Sequence, residues 1–82
     1  MPYIKSDKRP QLDNVVKLMI VSDINTPGNL NYVLFRLARY IPPSYTNYRN
    51  FLGELHEAAE EIRRRMLVPY EEEKIEENGD VL

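Results

Sequence analysis

The sequence predicts a mainly α fold: one small three-helix domain, with a short β element, that associates as a helical homo-oligomer. Three observations carry this expectation. Residues 30–41 place apolar side chains at i, i+3, i+4, i+7, i+8 and i+11, the pattern of an amphipathic helix. Breakers punctuate the periodic stretches at Asn25–Asn29, Pro42-Pro43 and Pro69, as turns between helices require. The chain has 82 residues, and at that length folding buries only about 60% of the extended chain's surface, so a partner subunit would add stability.

The first helix is expected over about 10–23. Ser6 and Asp7 are capping residues, Pro10 is tolerated only in a first turn, and Leu12, Val15, Val16 and Met19 recur at helical spacing. Asn25-Thr26-Pro27-Gly28-Asn29 breaks it. The second helix is expected over 26–41, capped by Thr26 with Pro27 in its first turn. Leu30, Val33, Leu34, Leu37, Ala38 and Ile41 form one face, and Pro42-Pro43 ends it, because neither proline can donate to the ladder. The third helix starts in Ser44–Asn47 and runs over about 46–68. Tyr48, Leu52, Leu55, Ala59, Ile62 and Met66 alternate in steps of four and three, with Phe51 beside them. This is a heptad-like seam, too short for a free coiled coil and suited to a bundle. Pro69 stops or kinks the helix.

In the tail, 70–82, Asn78-Gly79 lies between two short candidate strands and predicts a hairpin, since both central residues of that turn need positive φ. Residues Pro2–Lys5 would supply a third strand. The alternative for the tail is a short helix over 70–77 with Asn78-Gly79 as its C-cap.

Composition narrows the function. With no cysteine, disulfides and thiolate chemistry are excluded, and one histidine argues against a multi-histidine zinc site. Hydrophobic residues at 43% and charged residues at 29% fit a globular chain rather than a disordered one. No apolar run is long enough to span a bilayer, and Met1–Lys5 has no signal-type apolar region, so a cytoplasmic location is expected. The net charge of −2 hides an asymmetry: residues 1–69 carry +3 and residues 70–82 carry −5.

The second helix has another face, opposite the first, in Tyr32, Phe35, Arg36 and Arg39, again at i, i+3, i+4 and i+7. Aromatics and arginine are enriched at interface hot spots, and fully burying Tyr32 and Phe35 would contribute roughly 1.5–3 kcal/mol each. Tyr32, Phe35 and Tyr48 are therefore the expected interface residues. The alternative is that the N-terminal segment or the acidic tail of the same chain covers Tyr32 and Phe35.

His56-Glu57-Ala58-Ala59-Glu60 invites comparison with H-E-x-x-H, but Glu60 stands where the second histidine should be, so no metal is expected and His56–Glu60 reads as a structural i, i+4 pair. Glu60–Arg64 and Glu61–Arg65 have the favourable order for solvated i, i+4 pairs. Arg49, His56 and Arg63 sit seven apart on one flank. With Arg36, Arg39 and Tyr32 they suggest an anion-binding surface, because guanidinium fits phosphate bidentately and tyrosine stacks on bases. Arg36, Arg39, Arg49, Arg63 and Tyr32 are the candidate ligand-binding residues. Gly28, Gly53 and Gly79 stand too far apart for a phosphate-cradling loop, and no nucleophile motif accompanies His56. Neither an enzyme nor a cofactor is expected.

Several stretches carry a resemblance: Met1-Pro2-Tyr3-Ile4, Leu30-Asn31-Tyr32-Val33 with Arg36-Leu37, Asn47-Tyr48, Arg64-Arg65, Val68-Pro69-Tyr70-Glu71 and Lys74–Val81. On these the chain resembles a family of short, largely uncharacterised proteins of bacteria and their phages, and departs from it at Ala58, Ala59 and the Arg63 triplet. The resemblance implies a phage or prophage context, hence a host cytoplasm, and supplies no activity or catalytic residue. In that context small cysteine-free proteins often act by binding. The expected function is a homo-oligomeric, non-enzymatic protein that captures a nucleotide-like anionic small molecule, an anti-defence sequestration. Alternatives are an adaptor or inhibitor of a host protein and a structural or assembly component. Nucleic acid is disfavoured by a pI near 5.4 and the acidic tail, since phosphate neutralisation dominates such binding.

Overall fold

A computed structural model describes residues 3–82. A 3₁₀ turn, Ser6–Lys8, leads into α1 (Arg9–Val21); α2 covers Asn29–Ala38, α3 Tyr45–Ile62, and α4 Val68–Asn78 after a π turn at Arg63–Leu67. The described residues divide into two compact units, 3–51 and 52–82.

In the first unit, Pro10 occupies the first turn of α1, where its missing N–H costs nothing. The helix ends in a Schellman-type closure: Asp23 takes a left-handed φ of 55° and the Ile24 N–H donates to the Met19 carbonyl at 3.1 Å, satisfying an orphan acceptor. The Asn29 side-chain amide then donates to the Asp23 carbonyl at 2.8 Å. Helix α2 begins at Asn29 rather than at Pro27. Gly28, at φ 93°, precedes it, and the Asn29 N–H closes a turn onto the Thr26 carbonyl at 3.0 Å, so Thr26-Pro27 belong to that turn. Beyond Ala38 the chain tightens into i→i+3 bonds, Tyr40 N–H to Leu37 and Ile41 N–H to Ala38, before Pro42. Ser44 caps α3, its Oγ accepting from the Asn47 N–H at 3.0 Å, the bond that favours serine at this position.

In the second unit, residues 52–78 are helical throughout, and Pro69 does not stop them. Proline cannot donate to the carbonyl four residues back and its ring crowds it. A widened turn relieves that conflict: the Val68 N–H donates five residues back to the Arg63 carbonyl. Pro69 then lies in the first turn of α4.

The expected β element is corrected. No strand occurs among the described residues. Tyr3–Lys5 has no regular structure, and Pro2, the first residue of that expected strand, lies outside the described residues. The tail is helical to Asn78, and the Gly79 N–H donates to the Ile75 carbonyl at 2.8 Å. Gly79 has φ 83° and ψ 150°, a conformation essentially restricted to glycine. Asn78-Gly79 thus closes a helix instead of turning a hairpin. Glu71–Glu77 is rich in helix formers that strands disfavour, and that local preference outweighs the two-residue turn signal.

No described side chain is buried. In the first unit, Met19, Ile24, Leu34, Ala38, Ile41 and Phe51 are half-buried, while Leu12, Val15 and Val16, on the apolar stripe of α1, remain exposed. In the second, Leu55 is half-buried and Leu52, Ile62 and Met66 are exposed.

Candidate functional site

Helix α2 carries Tyr32, Phe35 and Arg36 on one side, and Arg39, in the turn just past its end, keeps right-handed dihedrals. Tyr32 is 66% and Phe35 70% exposed, so the residues of the same unit from Tyr3 onward do not cover them. Arg36 and Arg39 line a recess of about 250 Å³ together with Tyr40. Both arginines flank the C-terminal end of α2, where the helix dipole places roughly half a negative charge. That end attracts them, and two full positive charges leave the recess cationic.

Tyr40 escaped the reading of the sequence. Its signal was present, since it stands four residues after Arg36, the spacing that makes helix neighbours. Tyr32 and Arg49 are not among the residues lining the recess. Arg49 and the expected interface residue Tyr48 stand on α3 within the first unit, and Tyr48 is exposed. Arg63 opens the π turn of the second unit. The structure thus brings together two of the five expected ligand residues, Arg36 and Arg39, and adds Tyr40.

In the second unit, half-buried Glu61 collects two of the three consecutive arginines. Arg64 Nη2 donates to its Oε1, and Arg65 Nη1 lies 3.8 Å from the same oxygen. Arg64 therefore goes to Glu61 at i, i+3, not to Glu60 at i, i+4. On α4, Lys74 Nζ lies 3.1 Å from Glu77 Oε2 and 5.5 Å from the centre of the Tyr70 ring. Tyr70, Glu71, Lys74, Ile75, Asn78 and the following residues 79–81 border an open groove of about 410 Å³. Among the described residues no group of three or more His, Asp or Glu side chains is arranged to hold a metal ion, and no helix is long and apolar enough to cross a membrane.

The chain belongs to the family described as a domain of unknown function, DUF6899, which matches residues 1–81. No curated protein and no solved structure matches it.

Proposed function

We propose that this DUF6899 chain is a non-enzymatic binding protein that works as a homo-oligomer and captures a nucleotide-like anion on the arginine-bearing side of α2. The recess of Arg36, Arg39 and Tyr40 beside an uncovered aromatic face carries the reading. Paired guanidinium groups suit phosphate oxygens, a tyrosine ring offers a base its flat face, and the open aromatic face suits subunit contact. The setting that fits is a phage or prophage protein in a bacterial host cytoplasm, removing a nucleotide signal by stoichiometric capture.

Thermal unfolding against cyclic and linear nucleotides tests the ligand. A ligand present at about 100 times its Kd adds about 2.7 kcal/mol of stability, worth on the order of 10 °C in Tm for a domain this small. That gain is expected to vanish in R36A/R39A. A panel at about 1 mM that leaves Tm unmoved, a concentration about 100 times a Kd of about 10 μM, rejects nucleotide capture.

A second reading, an adaptor or inhibitor of a host protein, is favoured by α1, where Leu18, Ile20 and Val21 are all exposed along with the stripe at Leu12–Val16. A stoichiometric host protein retained by tagged wild-type chain, and lost with I20S/V21S, would select it.

A further inference from the structure

Two exposed helix faces of opposite charge repeat one spacing. On the first unit, Tyr32, Phe35, Arg36 and Arg39 follow i, i+3, i+4, i+7. On the second, Val68, Glu71, Glu72 and Ile75 follow the same steps along α4. Each set places two apolar and two charged side chains on one side of its helix. Val68 and Ile75 are 43% and 40% exposed, and Ile75 and Glu71 border the open groove on α4. Within their own units, among the described residues, neither the arginines Arg36 and Arg39 nor the glutamates Glu71 and Glu72 form an ion pair.

The charge of the surrounding sequence agrees with these faces. Residues 3–51 hold seven Lys or Arg against three acids, net +4. Residues 52–82 hold four against ten acids, net −6. Complementary fields of this kind set partner choice and orientation in helix pairing.

We infer that two copies of this chain dock reciprocally, the Val68–Glu71–Glu72–Ile75 face of α4 in each copy lying across the Tyr32–Phe35–Arg36–Arg39 face of the other. A specific interface takes about 800 Å² from each partner, more than one four-residue face offers. A two-fold arrangement uses both faces of both copies and doubles the contact. The inference rests on the reading above only in taking the outer side of α2 as a binding face. It names the partner of that face, and carboxylates of a second copy would compete there with a nucleotide.

Charge exchange in the full-length chain tests it without any ligand. Sedimentation equilibrium of wild type is expected to give a dimer that weakens as salt rises from about 0.1 to about 1 M, where the screening length falls from about 10 to about 3 Å. R36E/R39E alone and E71K/E72K alone are each expected to lose about tenfold or more in dimer affinity, because like charges then face each other. An equimolar mixture is expected to regain wild-type association, since both contacts of the mixed pair are again opposite in sign. Helicity by circular dichroism checks that each variant folds. If a reversal unfolds the chain, R36Q/R39Q and E71Q/E72Q replace it, glutamine being a good helix former, and each is expected to weaken the dimer. A monomeric wild type overturns the inference, as do variants that associate like wild type. So does a folded pair of weakened reversals that mixing fails to rescue, the result expected if α4 met α2 within one chain. A lost nucleotide response with an intact dimer rejects only the ligand.

Discussion

Alanine at Gly28 and alanine at Gly53 are expected to move stability in opposite directions. Chain neighbours and the helix's own backbone aside, a Cβ at either position would meet no atom within 4 Å, so packing is removed from the comparison. Gly28 holds φ at 93°, and a left-handed backbone costs an L-residue roughly 1–2 kcal/mol. G28A should destabilise by about that amount. Gly53 lies inside α3, where alanine is favoured by about 1 kcal/mol, so G53A should stabilise correspondingly. Urea unfolding at one fixed protein concentration measures both. The same residues show what can be read before a structure exists. Ser44 before an apolar-periodic run is a capping signal that needs only local chemistry. Thr26-Pro27 is an equally good local signal that loses to its neighbour, because Gly28 adopts a backbone angle that ends the turn first and moves the start of α2 to Asn29. At the candidate site, Arg36 and Arg39 were legible from their spacing, whereas Tyr40 was not, because it lies past the end of α2 in the tighter turn closed by its N–H on the Leu37 carbonyl.

Pro69 shows how a breaker is accommodated at the scale of an element. A proline inside a helix costs about 3 kcal/mol relative to alanine, and the π turn at Arg63–Leu67 recovers part of this by relocating the Val68 hydrogen bond to Arg63. P69A removes the cause of the turn. The expected result is a regular α-helix through 63–67 and a gain of about 1–2 kcal/mol, less than the full propensity difference. A larger helical signal at 222 nm and disappearance of the Val68–Arg63 hydrogen bond from amide NMR would record it. Unchanged helicity would mean that Arg64 and Arg65, tied to Glu61, hold the wide turn by themselves. The tail carries the complementary lesson. Asn-Gly is a two-residue signal, whereas Glu71–Glu77 is a seven-residue one, and elements form from summed preferences. The helical character of the chain was legible because it is written in long periods such as Leu30–Ile41. The β element was an error because it rested on one dipeptide.

At the scale of the whole molecule, the absence of any buried side chain among the described residues bears directly on how stability should respond to concentration. Hydrophobic burial is the dominant favourable term in folding, and small domains that cannot build enough of it depend on staples or partners. This chain has no cysteine for the former, and its apolar side chains at Leu12, Val16, Phe35, Leu52 and Ile62 are left uncovered. If a second copy covers part of that surface, folding and association become one equilibrium, and Tm must depend on protein concentration. Each tenfold increase adds about 1.4 kcal/mol to a dimer. For two chains of 82 residues unfolding together, the midpoint should rise by about 3–5 °C per tenfold. Differential scanning fluorimetry of unlabelled protein across two decades of concentration reads this with no mutation and no ligand. A midpoint that stays fixed to within about a degree, against the expected rise of several, would show that one copy folds alone, and the docking of α4 against the arginine face would fall with it.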